Sequence, residues 1–376
     1  MGGRPAPPSG GPARLSPAIR GLLLAPALMA IGWAVARFGD VEDISGSDGF
    51  LALATILLAV GLYGSTYGVS RSDVRDELPT VLTAVTVGVV CKAALIAGAL
   101  WWVVPDPSYV LLAVVMAQID PLAVTALLDP SRLSRRGRAV LAIWASFDDP
   151  VTVLLAAYVA RFALAGQSGS PVRTTAGAYA VELAGNAALV AVALAAHRGL
   201  RTARRTWPGA ERRVHVAEVA LLLVFLAAAV RWSLLLGLAA VGLFYRPRLG
   251  AWLERAVRGA FVAAAVSLGL LLVLGVDPLR GLVLGVAAFA AQGVVGWFVA
   301  RRLEHMDRVL LACQQQNGIT AILLALMLEP DLPRTVAIVG PAIVVVNALH
   351  FTAHTWWFPR YARRRADAEG GQRHGV

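Results

Sequence analysis

The chain has 376 residues, 58% of them hydrophobic and only 15% charged, with a mean hydropathy of +0.67. A soluble domain carries closer to about a quarter charged residues, so this composition describes a polytopic, all-α membrane protein embedded in a lipid bilayer. The net charge of +11 lies in short loops between apolar runs, which excludes nucleic-acid binding. Cys91 and Cys313 both fall inside apolar segments and imply neither a disulfide framework nor a metal-ligand set.

In chain order, residues 1–20, rich in Gly, Pro and Arg, read as a disordered cytoplasmic tail. The next apolar run has no small-residue cleavage site and is not read as a signal peptide. About twelve transmembrane helices are predicted, at roughly 21–38, 49–68, 79–104, 108–129, 138–165, 172–197, 214–231, 233–245, 258–276, 279–300, 308–328 and 335–358. Together they form a transmembrane domain over 21–358, followed by a basic cytoplasmic tail over 359–376. The eighth segment is short for a hydrocarbon core of about 30 Å and reads as tilted or partly re-entrant. Alternate loops collect most of the arginine, among them Arg132, Arg135, Arg136 and Arg138, then Arg198, Arg201, Arg204, Arg205, Arg212 and Arg213. The acidic cluster Asp40, Glu42, Asp43 and Asp48 falls on the other side. That asymmetry predicts a protein of the cytoplasmic (inner) membrane with both termini cytoplasmic.

Within the third segment stands Lys92, the one lysine among 34 basic residues. Arginine stays charged in any environment, whereas a desolvated lysine can lose its proton. Lys92 therefore reads either as a titrating group or as a fixed counter-ion. The fourth segment contains Gln118-Ile119-Asp120-Pro121 and the fifth contains Ser146-Phe147-Asp148-Asp149-Pro150. A carboxylate at mid-membrane costs about 2.5–3.5 kcal/mol, so three of them demand a partner, a proton or an ion. Each adjacent proline predicts a broken stretch of helix beside its aspartate. Asp148 and Asp149 point about 100° apart on a helix, and two close carboxylates raise one another's affinity for protons. Ser146, Thr152 and carbonyls freed by Pro150 supply neutral oxygen ligands for a small hard cation.

The sixth segment carries Glu182 and Asn186 on one face, as a proton path or as a simple interhelical hydrogen bond. In the eleventh, Gln314-Gln315-Gln316-Asn317-Gly318 interrupts an apolar run, and the whole run opposite a broken fourth segment points to a site. His350 and His354 share a face of the last segment, with packing favoured over pH sensing. Segments three to five (79–165) and ten to twelve (279–358) form two triplets, each with an interrupted middle helix and running antiparallel. Matching breaks in inverted repeats place a binding site at the midplane, where two discontinuous helices cross. No P-loop, dinucleotide fingerprint or zinc-ligand set occurs, so neither ATP-driven transport nor a cofactor is expected.

These motifs resemble the monovalent cation:proton antiporter superfamily, the sodium/proton and potassium/proton exchangers. The family's fourth helix usually reads Thr-Asp-Pro, here Ile119-Asp120-Pro121, and its fifth carries Asn-Asp or Asp-Asp, here Asp148-Asp149. Its Gly-rich eleventh-helix break is similar to Asn317-Gly318-Ile319-Thr320-Ala321. The resemblance implies a homodimer, a core domain of crossed helices moving like an elevator, and exchange of a monovalent cation for protons. By the same carry-over, Asp149 binds the cation (Na⁺ or K⁺) or the proton, with Asp148 and Asp120 beside it. Three positions depart from the family. Ile119 replaces a threonine, Gln292 replaces the basic residue of the tenth helix, and Asn317 replaces an arginine of the eleventh-helix break. Lys92 then reads as a substitute for the lost tenth-helix cation across the pseudo-twofold axis. Two other readings stand beside exchange. One is a non-exchanging intramembrane catalyst or sensor on the same scaffold; the other is an organic-solute symporter in which the glutamines bind a larger substrate.

Overall fold

The computed structural model describes residues 17–39, 44–68, 77, 79–119, 133–163, 176–206, 209, 211–314, 318–358 and 360. Helix α1 spans Pro17–Phe38 and α2 Asp48–Tyr67. Ser47 starts α2 by accepting the Phe50 N–H at 3.3 Å, which satisfies one of the orphan donors of a first turn. Helix α3, Pro79–Trp101, contains a π-turn at Ala84–Gly88. A short 3₁₀ turn, Pro107–Tyr109, leads into α4, Val110–Val115. Asp106 caps that turn through the Ser108 N–H and hydroxyl, and the hydroxyl is the main reason its carboxyl is held below the usual carboxylate range.

Helices α5 (Arg135–Ala163), α6 (Ala176–Thr206) and α7 (Glu211–Arg231) follow, then the short α8 (Leu235–Gly242). Next come α9 (Ala251–Leu271), α10 (Pro278–Val299), α11 (His305–Ala312), α12 (Ile319–Leu328) and α13 (Thr335–Thr352). A second π-turn, Ala353–Trp357, continues α13. The protein is an all-helical, multi-pass membrane protein. Among the described residues, eight helices are long and apolar enough to cross a bilayer, namely α2, α3, α5, α6, α7, α9, α10 and α13. Leu22–Phe38 and α12 are shorter apolar helices. With 8 residues, α8 rises only about 12 Å, in keeping with the short eighth segment.

In the fourth and eleventh segments the first helix ends early. Helix α4 ends at Val115, with Gln118 and Ile119 outside it, and α11 ends at Ala312, six residues before Gly318. The fifth does not, contrary to expectation: α5 runs unbroken through Pro150. A proline removes one hydrogen bond, here to the Ser146 carbonyl, and in a membrane bundle packed neighbours keep the helix going past such a gap.

The bundle is drawn together by glycines at crossings. Helix α10 lies on α13, where a methyl on Gly285 would fall 2.8 Å from the Ala342 carbonyl oxygen and one on Gly281 would fall 2.6 Å from Pro341 Cβ. Helix α1 lies on α9 through Gly32 and Gly269 in the same manner. Small residues let backbones approach and gain dispersion contact where lipid supplies no hydrophobic drive. Gly285→Val is expected to separate α10 from α13 and abolish the monodisperse peak in detergent size-exclusion chromatography. Gly293→Ala, on the same helix but facing open space, leaves that peak unchanged.

Candidate functional site at the two helix breaks

The π-turn of α3 comes one turn before Lys92 and sets the phase of the rest of that helix. Cys91 faces outward while Lys92 is fully buried. Its ammonium meets Asp148 of α5, Nζ to Oδ2, at 2.7 Å, with both side chains 0% exposed. The same oxygen accepts the Ile119 N–H at 2.8 Å, from the chain just beyond the end of α4. Asp148 thus ties together α3, the break of the fourth segment and α5. Trp144, one turn before Asp148, is fully buried, with its ring centroid 5.4 Å from Lys92 Nζ. Together with Val81, Val85, Ile119, Val140, Leu141, Leu310 and Leu311 it builds an apolar cluster beneath the pair.

Asp149 is also buried and points about 100° round the helix from Asp148. Ser146 is buried and donates its hydroxyl back to the Ala142 carbonyl at 2.7 Å. That bond leaves lone pairs on the Ser146 oxygen. Thr152, one turn beyond the aspartates, is fully buried, and its Oγ1 has no hydrogen-bond partner among the described residues.

The two breaks match in detail. Gln118 sends its amide N–H back to the Val115 carbonyl at 3.1 Å, and Gln314 does the same to Leu310 at 2.8 Å. In both, the amide oxygen is buried and has no partner among the described residues. Six buried side-chain polar atoms are unsatisfied among the described residues: Gln118 Oε1, Asp148 Oδ1, Thr152 Oγ1, Gln314 Oε1, Thr320 Oγ1 and the N–H donor Trp144 Nε1, one turn before Asp148. An unmet buried polar atom costs about 1–3 kcal/mol. The neutral oxygens among them, the amides of Gln118 and Gln314 and the hydroxyls of Thr152 and Thr320, are of the type that suits a hard cation.

Gln292 of α10 takes another role. Its Nε2 donates to the Leu311 carbonyl at 3.0 Å, so it caps the end of α11 with a neutral group. The opposite end of α11 is fastened to α5. Asp307, in the first turn of α11, accepts both the N–H and the hydroxyl of Ser134, and that hydroxyl in turn accepts the Gly137 N–H. Arg136 binds Glu77 alongside, with Nη2 to Oε2 at 3.1 Å.

Asp120, Gln315, Gln316 and Asn317 lie outside the described residues. Asn186 and Glu182 lie on α6. Asn186 Oδ1 accepts the Gly237 N–H at 2.6 Å and caps α8 from outside, while Glu182 lines an apolar cavity between α6 and α7. Sequence reasoning passed over Trp144, although its spacing of four from Asp148 was a usable signal. It also missed the Asp307–Ser134 contact, which joins residues 173 apart and leaves no local trace.

A buried ion pair is weak evidence for stability, but removing one partner strands the other at a cost of about 3–5 kcal/mol. Lys92→Met and Asp148→Asn are each expected to lower the melting temperature in detergent. The double variant recovers most of the loss. A double variant as unstable as the two losses added together means that the residues are not coupled.

Comparison with curated proteins gives no significant match. The sequence model of the family described as sodium/hydrogen exchanger, transmembrane, matches residues 11–327. Among solved structures, the fold is similar to that of the sodium proton antiporter MjNhaP1 from Methanocaldococcus jannaschii at pH 8. The TM-score is 0.61 at 15% identity, covering 90% of this chain and 94% of that one. An electron-microscopy structure of the same antiporter matches with TM-score 0.61 and 16% identity, over 92% of this chain and 98% of that one. At such identities the likeness is one of fold.

Proposed function

The chain belongs to the sodium/hydrogen exchanger family and is a secondary transporter rather than an enzyme; from that premise we propose that it exchanges Na⁺ or K⁺ for protons, the two competing for the Asp149 carboxylate. The observation that supports this reading is the division of labour in the aspartate pair. Lys92 and the Ile119 N–H both engage Asp148, which makes it the structural member. Asp149 lies on another face of the same helix, about 100° round from Asp148, and the exchanging role is assigned to it from its match to the ion-binding aspartate of the family's fifth helix. The oxygens of Gln118, Thr152, Gln314 and Thr320, unsatisfied among the described residues, are neutral ligands of the kind a partly dehydrated cation needs.

Asp120, Gln315, Gln316 and Asn317 enter the proposal from their sequence positions at the two breaks. Twelve crossings belong to it too, the fourth and eleventh each made of two half-helices in inverted repeats over 79–165 and 279–358. So do cytoplasmic termini, a homodimer and a core that carries the bound ion by rigid-body movement. Competition makes exchange obligatory: the carboxylate leaves each side carrying either a cation or a proton, and a bare charge does not cross.

Vesicles with an imposed pH gradient test this. Adding Na⁺, K⁺ and Li⁺ in turn to the native protein is expected to dissipate the gradient with at least one of them. Asp149→Asn abolishes the response while remaining folded. Because the proton competes, the apparent KM for the cation rises as pH falls, by up to about tenfold per unit where the carboxyl is mostly protonated. A folded native protein inert to all three cations would end this reading.

A further inference from the structure

The end of α11 lies at the second break, and four of the carbonyl groups there have a named partner. A helix leaves its last carbonyls without intrahelical partners. Here Val309 is met by the Cys313 N–H at 3.1 Å, Leu310 by the Gln314 amide and Leu311 by the Gln292 amide. The carbonyl of Cys313, the first residue beyond the helix, receives two imidazoles from the far end of the chain. His350 Nδ1 lies 2.9 Å and His354 Nε2 3.1 Å from that one oxygen.

A carbonyl oxygen only accepts, and it has two lone pairs. Both ring nitrogens must therefore donate, which fixes a proton on Nδ1 of His350 and on Nε2 of His354. His350 is buried on α13, and His354 belongs to the π-turn that continues it. Their rings lie 4.3 Å apart, tilted by 42°, with Phe358 stacked beyond His354. Two long side chains converging on one backbone atom hold that atom in place.

The atom matters because the peptide group is planar. The Cys313 carbonyl and the Gln314 N–H belong to one rigid unit, so fixing the oxygen fixes the plane from which the Gln314 side chain departs. Gln314 Oε1 is buried at the break and has no partner among the described residues.

We propose that His350 and His354 are positioning residues, which hold the peptide between Cys313 and Gln314 so that the Gln314 amide oxygen is presented to the transported cation. They act as neutral N–H donors and neither touches the ion. The inference rests on the exchange reading above, and its test is arranged so that the two can fail separately.

His350→Leu and His354→Leu remove the donors. Each is expected to raise the cation KM about 5- to 10-fold, the effect of one lost hydrogen bond, with turnover at saturating cation kept within about twofold of native. His350→Asn and His354→Gln retain an N–H at a similar reach and restore most of the affinity, with a pH profile superimposable on the native one. An unchanged KM in the Leu variants overturns the proposal. A shifted pH profile in the Asn and Gln variants also overturns it, because a proton-sensing pair would then replace a neutral clamp. His354 is only partly buried and carries the test alone if His350→Leu does not fold. A second readout needs no transport: maleimide labelling of Cys313 in a Cys91→Ser background. Release of the peptide accelerates labelling in the Leu variants and leaves it unchanged in Asn and Gln. Equal rates in all four overturn the clamp, whereas accelerated labelling in a protein inert to every cation upholds the clamp and rejects the exchange reading.

Discussion

The charge pair between Lys92 and Asp148 constrains everything around it. Two ions taken out of water lose hydration worth several kcal/mol each, and only close contact with further hydrogen bonds offsets that loss. The structure supplies both, with a contact of 2.7 Å and an added N–H from Ile119. Because the three groups come from α3, from the break after α4 and from α5, the pair sets where those elements meet. Trp144 and the apolar cluster beneath exclude water from the same point. This is a costly junction to build, and it is the fixed point that the proposed exchange at the neighbouring carboxylate requires.

The second break is held by different chemistry. On α10, where a basic residue is common in this family, Gln292 caps the end of α11 with an amide. His350 and His354 add two imidazole donors at the Cys313 carbonyl, just past the end of the helix. Among the described residues, the ammonium of Lys92 stands at the fourth-segment break, and neutral donors meet backbone carbonyls at the eleventh. At its far end α11 is fastened to the start of α5 by Asp307 and Ser134. The start of α5 and the start of α11 are thereby joined, as the proposed rigid-body movement of a core requires.

Much of this was legible in the sequence. Helix is found in each of the twelve apolar segments, and the interruptions in the fourth and eleventh were readable from polar residues inside apolar runs. Lys92 stood out because every other basic residue is arginine. Its partner did not, since Asp148 and Asp149 are adjacent and the choice depends on the phase of α3, which a π-turn shifts. Pro150 misled because a missing N–H is a local signal, whereas continuity of α5 is decided by what packs around it. The roles of Gln292, Asp307 and the two histidines arise from contacts across 19 to 173 residues, beyond the reach of any local pattern.

The central claim is that one carboxylate, Asp149, trades a proton for a cation while Asp148 stays bound to Lys92. Counting protons released when Na⁺ or K⁺ is added to the detergent-purified protein tests it directly, by calorimetry in buffers of different ionisation enthalpy. The account predicts release approaching about one proton per cation at pH values where the site is protonated, lost in Asp149→Asn. Cation binding without proton release, or release that persists in Asp149→Asn, would contradict it.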